Sequence, residues 1–142
     1  MDYLNKNKEN LDEETYELYD RNIRLWGKEN QIKLNQSYVL LINLNAAVTE
    51  LAKNFVLSGV NLFLYDRIEN YLPRLVELDD IKNNFYLDSE DLKAERGKVL
   101  KKKLSQINSY VRVEELNSLE NLEGVNIQSA CLGFRNFVTT VI

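Results

Sequence analysis

Histidine is absent from the sequence, which also has a single cysteine and a single proline among its 142 residues. A histidine-based charge relay or zinc hydrolase mechanism would therefore need unusual residues. One cysteine, Cys131, excludes an internal disulfide and a cysteine-based metal cluster. Because Cys131 lies in an apolar run that we interpret as a strand, we expect a small core residue rather than a nucleophile.

Long apolar runs and a strong charge of one sign are also missing. No run approaches the roughly 18 apolar residues of a membrane span, and the first residues have no hydrophobic signal core. The net charge of −4 does not indicate a nucleic acid or an anionic membrane as a partner. With 44% apolar residues the chain can form one domain with an ordinary core, and we expect a soluble intracellular protein.

The middle of the chain predicts a strand–helix–strand crossover. Residues 38–42 form a short apolar run, a helical repeat of apolar residues follows, and a second apolar run occupies residues 60–65. This pattern is typical of two parallel, buried strands joined by a helix. Gly59 is expected to end the helix with a positive φ. Asp66, directly after the second strand, has the position of the acid that usually meets the ribose of a nucleotide.

The turn that should hold the phosphates, residues 43–48, contains no glycine. Glycines let the backbone turn tightly at this point and bring bare N–H groups against phosphate. Ala46, Ala47 and Val48 instead each carry a Cβ atom. We interpret the crossover as a nucleotide-binding unit that has kept its frame and lost its pocket. On these residues alone, a crossover that never bound a nucleotide is an equal alternative.

Apolar spacing predicts a helix over residues 12–26 and a shorter helix over residues 28–36. Arg21 and Arg24 lie off the apolar stripe of the first helix and are expected to face outward. The predicted stripe consists of Tyr16, Tyr19, Ile23 and Trp26. Residues 67–84 contain the only proline and are predicted to be irregular.

The rest of the chain continues the alternation of helices and strands. A helix with Asp88 as its N-cap is predicted to run to about Asn108, followed by a strand over residues 111–113. A short helix over residues 116–122 and a fourth strand over residues 125–132 complete the pattern. It predicts an α/β, Rossmann-like fold with a mostly parallel sheet. Because only four strands can be counted, we expect a domain that is truncated at its C-terminus.

Three groups of residues resemble the activating enzymes for ubiquitin-like modifiers, which have the ThiF-type fold. Residues 19–27, Tyr-Asp-Arg-Asn-Ile-Arg-Leu-Trp-Gly, are similar to the opening signature of that family. Residues 39–42 and 50–60 resemble its first crossover, and residues 80–87, with Arg96-Gly97 beyond them, resemble the segment after the second strand. Within the family, these features are most similar to the small, non-catalytic subunit of the SUMO-activating enzyme.

The resemblance implies a ThiF-type domain with helices on both faces of a mostly parallel sheet. Residues 1–11 would be a mobile N-terminal tail, and residues 12–142 a partial, inactive adenylation domain. Its function would be regulatory: the chain would complete the ATP-dependent adenylation site of a catalytic partner in the first step of modifier conjugation. We expect a chain that is not catalytic alone.

Three residues match functional positions of the family. Arg21 matches the arginine that the inactive half donates in trans to the triphosphate in its partner's ATP site, and Arg24 would support that contact. Asp66 matches the ribose-binding acid of an active half and would here be vestigial. The resemblance implies ATP and magnesium in the partner's site and no cofactor in this chain.

The implied partners are the catalytic subunit of the SUMO-activating enzyme and, through the complex, a SUMO-type modifier and its conjugating enzyme. Neither nucleic acid nor membrane is implied. The resemblance also implies a location in the nucleus and cytoplasm.

Other interpretations remain open at this point. The chain could be the inactive N-terminal half of a ubiquitin-activating enzyme, a stand-alone nucleotide-binding Rossmann-type enzyme, or a remnant scaffold without activity. Arg21 could be a surface arginine paired with Glu17 or Asp20 on its own helix. Asp66 could be a strand-end acid that caps a turn.

Overall fold

The computed structural model describes residues 11–68 and 72–119. Within these ranges the central sheet has three parallel strands, β1 (Tyr38–Ile42), β2 (Asn61–Tyr65) and β5 (Val113–Glu115), in the order β1–β2–β5. All five residues of β2 are buried, as expected for the middle strand of a covered sheet. Helix α4 (Ala46–Leu57) joins β1 to β2, which confirms the predicted crossover.

Helices flank this sheet. In chain order they are α1 (Glu13–Leu18), α2 (Asp20–Trp26) and α3 (Lys28–Gln36) before β1, and α5 (Leu78–Asn83) and α6 (Arg96–Ser105) between β2 and β5. A small antiparallel pair, β3 (Arg67–Ile68) and β4 (Leu72–Pro73), follows β2. The parallel sheet with flanking helices confirms the predicted α/β fold class.

The core lies between the sheet and helices α4 and α6. Helix α4 contributes Val48, Ala52 and Val56 at helical spacing, and α6 contributes Leu100 and Leu104. The cluster is completed by Leu41, Leu44, Leu62, Leu64, Val76, Leu87, Val111 and Val113. Each fully buried aliphatic side chain contributes about 1.5–3 kcal/mol of transfer free energy, so this layer fixes both helices on the sheet.

The predicted helix over residues 12–26 is in fact two helices. Between them lies Tyr19, whose φ of −102° and ψ of 16° are not helical. Tyr19 is only 2% exposed, but Tyr16 is 42% exposed and lies off the core. The prediction of one continuous buried stripe was wrong because the break at Tyr19 interrupts the helical repeat.

The helix predicted over residues 88–108 begins only at Arg96. Asp88 does act as an N-cap, but of a short 3-10 helix, Ser89–Asp91. Lys93 then adopts a φ of 64°, in the left-handed region, which breaks the helical path. The capping chemistry was therefore predicted correctly and assigned to the wrong element.

Residues 67–84 are more regular than predicted. They include β3, β4 and α5, and Pro73 lies in β4. Helix α5 is stabilised by a capping box in which the side chains of Glu77 and Asp80 each accept a backbone N–H of the other. This box places Asp80 beside the end of β2, where it becomes part of the site described below.

The third predicted strand, residues 111–113, forms two residues later, as β5. The predicted helix over residues 116–122 extends beyond the described residues, and the predicted tail reaches back beyond them. The predicted strand over residues 125–132, with Cys131, lies outside them altogether. None of the helices in the described ranges is long and apolar enough to cross a membrane.

Candidate functional site

The carboxyl ends of β1 and β2 meet at one edge of the sheet. The two strands run parallel with Ile42 opposite Tyr65, so that Asn43 and Asp66 follow them at the same level. The Asn43 N–H donates to the Tyr65 carbonyl oxygen at 3.0 Å. Asn43 has a φ of 60°, a conformation that favours glycine and that asparagine tolerates better than most residues. This edge is where nucleotides bind in folds of this class.

Backbone N–H groups of the glycine-free turn are bonded to side chains of the protein. The Leu44 N–H donates to Oδ1 of Asp66 at 3.1 Å, and the Leu44 side chain is buried in the core. The Asn45 side chain caps α4 by accepting the Val48 N–H at 3.0 Å. The Asn45 N–H donates to the Asn43 carbonyl oxygen at 2.8 Å, so that with the Asn43 N–H four backbone donors of the turn already have partners within the protein.

Val48 lies in the core rather than in the space of the phosphates. The Cβ of Val48 was expected to occupy the space of the phosphates, but the Val48 side chain lies in the core and is 3% exposed. It is Asn45, through its side-chain bond to the Val48 N–H, that engages the first turn of α4.

Asp66 is paired with a residue that the sequence analysis did not assign to the site. Both carboxylate oxygens of Asp66 accept hydrogen bonds from Arg96, from Nε at 2.7 Å and from Nη2 at 2.8 Å. The Asp66 side chain is fully buried, and that of Arg96 is 8% exposed. A signal was available, because Arg96 precedes the buried Leu100 and Leu104 by four and eight residues and so lies on the same face of α6.

Arg96 also binds the rest of this edge. Its Nη1 donates to Asp80 Oδ1 at 2.9 Å and its Nη2 to Asn43 Oδ1 at 3.2 Å. Burial alone would lower the pKa of Arg96, but the bonds and charges of Asp66 and Asp80 outweigh it and raise the pKa. Arg74 adds a second, more distant cation, with Nε 3.8 Å from Asp66 Oδ1.

This arrangement does not fit a nucleotide. A ribose would need accessible oxygens of Asp66 as acceptors, but the Asp66 side chain is fully buried and both of its oxygens accept bonds from the Arg96 guanidinium. Arg96 instead satisfies the buried carboxylate from within the chain. In the described residues, no group of three histidine, cysteine or acidic side chains is arranged to hold a metal ion.

The two signature arginines lie elsewhere, on α2. Arg24 is exposed and pairs with Asp20 one turn earlier, with Nη2 2.9 Å from Oδ2. Arg21 is also exposed, and it makes no hydrogen bond or ion pair with any of the described residues. No bond in those ranges links either arginine to Asp66. Arg21 is therefore accessible at the surface, because Asp20 forms its ion pair with Arg24 instead.

Known proteins with similar sequences include activating enzymes. DNA damage tolerance protein rad31 of Schizosaccharomyces pombe is 39% identical over 111 residues, which cover 78% of this chain and 34% of that protein. Ubiquitin-activating enzyme E1 1 of Candida albicans is 33% identical over 126 residues, which cover 88% of this chain and 11% of that enzyme. SUMO-activating enzyme subunit 1 of Dictyostelium discoideum is 32% identical over 123 residues, which cover 87% of this chain and 33% of that subunit.

This chain is a ThiF-type domain homologous to those of the activating enzymes for ubiquitin-like modifiers. It spans about a third of the length of rad31 and of the SUMO-activating subunit, and about a tenth of the ubiquitin-activating enzyme. The chain matches no protein-family model.

Solved structures show the same ThiF-type fold. PaaA has a TM-score of 0.68 at 21% identity, over 97% of this chain and 48% of its own. E. coli tRNA N6-threonylcarbamoyladenosine dehydratase TcdA, solved with AMP, has a TM-score of 0.69 at 11% identity, over 82% of this chain and 48% of its own. At such identities the likeness concerns the fold alone.

Proposed function

We propose that this chain is the non-catalytic subunit of a heterodimeric SUMO-activating enzyme and completes the ATP site of its catalytic partner. The observation that carries the proposal is the Arg96–Asp66 pair, which occupies the nucleotide edge of this domain from within. A ThiF-type domain whose own edge is filled supports adenylation only through another chain. This proposed role implies a location in the nucleus and cytoplasm.

Arg21 is the residue proposed to act on the partner's substrate. Adenylation joins the modifier's C-terminal carboxylate to the α-phosphate of ATP and releases pyrophosphate. A guanidinium is always charged and can hold two phosphate oxygens at once, so it stabilises charge that shifts along the triphosphate. Arg21 is exposed and unpaired among the described residues, which supports this role, and Arg24, held by Asp20, would support the contact from one turn away.

ATP and magnesium would therefore bind in the catalytic subunit. The SUMO-type modifier and its conjugating enzyme would be met through the assembled complex. SUMO is the proposed modifier because residues 19–27 resemble the signature of the small SUMO-activating subunit, and a protein named SUMO-activating enzyme subunit 1 is 32% identical over 87% of this chain. One alternative is the inactive half of a ubiquitin-activating enzyme, because an enzyme of that name is 33% identical over 88% of this chain.

The test is co-expression with the catalytic SUMO-activating subunit, followed by an ATP-dependent thioester assay with SUMO and, separately, with ubiquitin. We expect a stable complex that forms the thioester with SUMO and not with ubiquitin. Thioester formation with ubiquitin alone would favour the alternative, and a chain that neither co-purifies nor supports thioester formation would overturn the proposal.

The role of Arg21 is tested in the same complex by ATP–pyrophosphate exchange. Arg21→Ala should lower the exchange rate by at least about tenfold while the complex remains intact, because removing one preorganised donor from an active site costs about 100- to 1,000-fold. Lys33→Ala removes another exposed cation, on α3, and should leave the rate unchanged. An unaltered rate in Arg21→Ala would exclude the trans role.

A further inference from the structure

A buried polar cluster attaches the N-terminal helices to the crossover. We call Tyr19, Gln31, Asn35 and Asn108 the docking cluster; they surround the end of α4. The Asn108 Nδ2 group donates to the Tyr19 hydroxyl at 2.7 Å and to the Val56 carbonyl oxygen at 3.0 Å. Tyr19 is 2% exposed and Asn108 is 8% exposed. These two residues are 89 positions apart in sequence, so the bond joins the first helices to the segment before β5.

Gln31 forms the second half of the docking cluster. Its Nε2 group donates to the Ser58 carbonyl oxygen at 2.9 Å and to Asn35 Oδ1 at 2.8 Å, and its Oε1 accepts the Trp26 Nε1–H at 3.0 Å. Gln31 is fully buried. The carbonyl oxygens of Val56 and Ser58 at the end of α4 are thus bound by side chains of the docking cluster.

Helix α2 depends on these contacts because it has no buried residue of its own. Its position is fixed at its two ends. Tyr19 directly precedes its first residue and is bonded to Asn108, whereas Trp26 is its last residue and is bonded to Gln31. Arg21 lies two residues after Tyr19, so the Tyr19 end determines the direction in which the guanidinium leaves the surface.

We propose that the Tyr19–Asn108 hydrogen bond is the positioning contact for Arg21 and holds α2 so that the guanidinium meets the triphosphate in the partner's site. The inference rests on the proposed function. Tyr19 and Asn108 are positioning residues, since they act through Arg21. The bond is suited to this task because a buried hydroxyl and amide can each be satisfied in one arrangement only, which favours a single orientation of α2.

The experiment is a double-mutant cycle in the purified complex with the catalytic subunit. Tyr19→Phe removes only the hydroxyl, and it should lower the rate of ATP–pyrophosphate exchange by about threefold to thirtyfold, since small misplacements of a positioning group cost up to about 100-fold. In the Arg21→Ala background the same change should have no further effect. A loss that acts only through Arg21 disappears when Arg21 is absent.

Tyr110→Phe is the matched control. Tyr110 lies in the same turn as Asn108, and its hydroxyl donates to Glu14 on α1 at 2.7 Å, so the change removes one hydroxyl bond to the N-terminal helices away from the ends of α2. Its exchange rate should equal that of the unmodified complex. If Tyr19→Phe does not fold, Asn108→Ala removes the same hydrogen bond from the other partner. Its loss of exchange rate should depend on Arg21 in the same way.

The outcomes separate the inference from the proposed function. Equal fractional losses from Tyr19→Phe with and without Arg21 would show a purely structural role and overturn the positioning proposal. So would an unchanged rate in both Tyr19→Phe and Asn108→Ala while Arg21→Ala is impaired, and the proposed function would then stand. An unimpaired Arg21→Ala would overturn both the positioning proposal and the trans role of Arg21, whereas the subunit proposal is tested by complex and thioester formation.

Discussion

Two glycines share a positive φ but not an environment. Gly27 has a φ of 86° and Gly59 a φ of 87°, so an alanine at either position is strained. A Cβ at Gly27 would have no atom within 4 Å. A Cβ at Gly59 would collide with Asn35 Oδ1 and come within 2.9 Å of the Tyr19 hydroxyl. Gly59 therefore ends α4 and also leaves space for the docking cluster.

We predict that Gly59→Ala destabilises the chain more than Gly27→Ala does. The backbone strain alone costs about 1–3 kcal/mol at either site, and Gly59→Ala adds a collision with side chains that are themselves hydrogen-bonded. The free energy of unfolding in urea measures the sum of both effects for each variant. Equal losses of unfolding free energy would show that the side chains of the docking cluster can move to accommodate the Cβ atom.

The buried pair of Arg96 and Asp66 leads to a second prediction at this scale. Arg96→Ala leaves the carboxylate of Asp66 buried without its guanidinium, which costs about 3–5 kcal/mol when one partner of a buried pair is removed. Adding Asp66→Asn to this variant should recover part of the loss, because an amide tolerates burial better than a charge. Urea unfolding of the two variants gives the comparison, and a loss below about 1 kcal/mol in Arg96→Ala would contradict the structural role.

At the scale of the elements, local patterns predicted the crossover well. The apolar runs form β1 and β2, and Gly59 follows the end of α4 as expected. Strand burial and helix termination depend mainly on residues that are close in sequence. The segment after Asp66 was predicted poorly. Its path depends on tertiary contacts such as the bridge between Leu75 and Glu95 and the left-handed Lys93, which no periodicity reveals.

Lys103 links α6 to the short 3-10 helix. Its Nζ donates to Asp91 and, at 3.0 Å, to Asp88 Oδ2. Burial alone would lower the pKa of Lys103, but the two carboxylates outweigh it and raise the pKa above 10.5. For a cation with a raised pKa in the folded state, the stabilisation is fully present below pH 10.5 and is lost as the pH rises through the folded-state pKa.

We therefore expect Lys103→Met to lower the free energy of unfolding at neutral pH and the deficit to shrink above pH 10.5. Urea unfolding at a series of pH values from neutral to alkaline measures it. Lys102→Met, which removes the exposed neighbouring cation, is the control and should match the unmodified chain throughout. A deficit that stays constant with pH would mean that packing of the lysine stem, rather than its charge, is responsible.

At the scale of the whole molecule, the relation to activating enzymes could be recognised from the sequence, but the state of the nucleotide edge could not. The missing glycines predicted a lost pocket, and Asp66 was placed correctly at the end of β2. Arg96 fills this edge through its bond to Asp66, which is 30 residues away in sequence. The docking cluster depends on a contact across 89. Such long-range polar pairs leave no local pattern, although the position of Arg96 on the buried face of α6 was a usable sign.

The surface of α2 gives the last prediction. Leu25 is 78% exposed and lies four residues after Arg21, on the same face of α2, a helix that has no fully buried residue in the described structure. If Arg21 enters the partner's site, Leu25 packs against the partner. Leu25→Asp should then weaken the complex with the catalytic subunit about tenfold or more, as expected when an anchor near an interface centre is lost. Titration of the two subunits measures the dissociation constant.

Leu57→Asp is the control, because it places the same charge on an exposed leucine of α4 and should leave the dissociation constant unchanged. Equal weakening by both variants would argue against α2 as the contact surface.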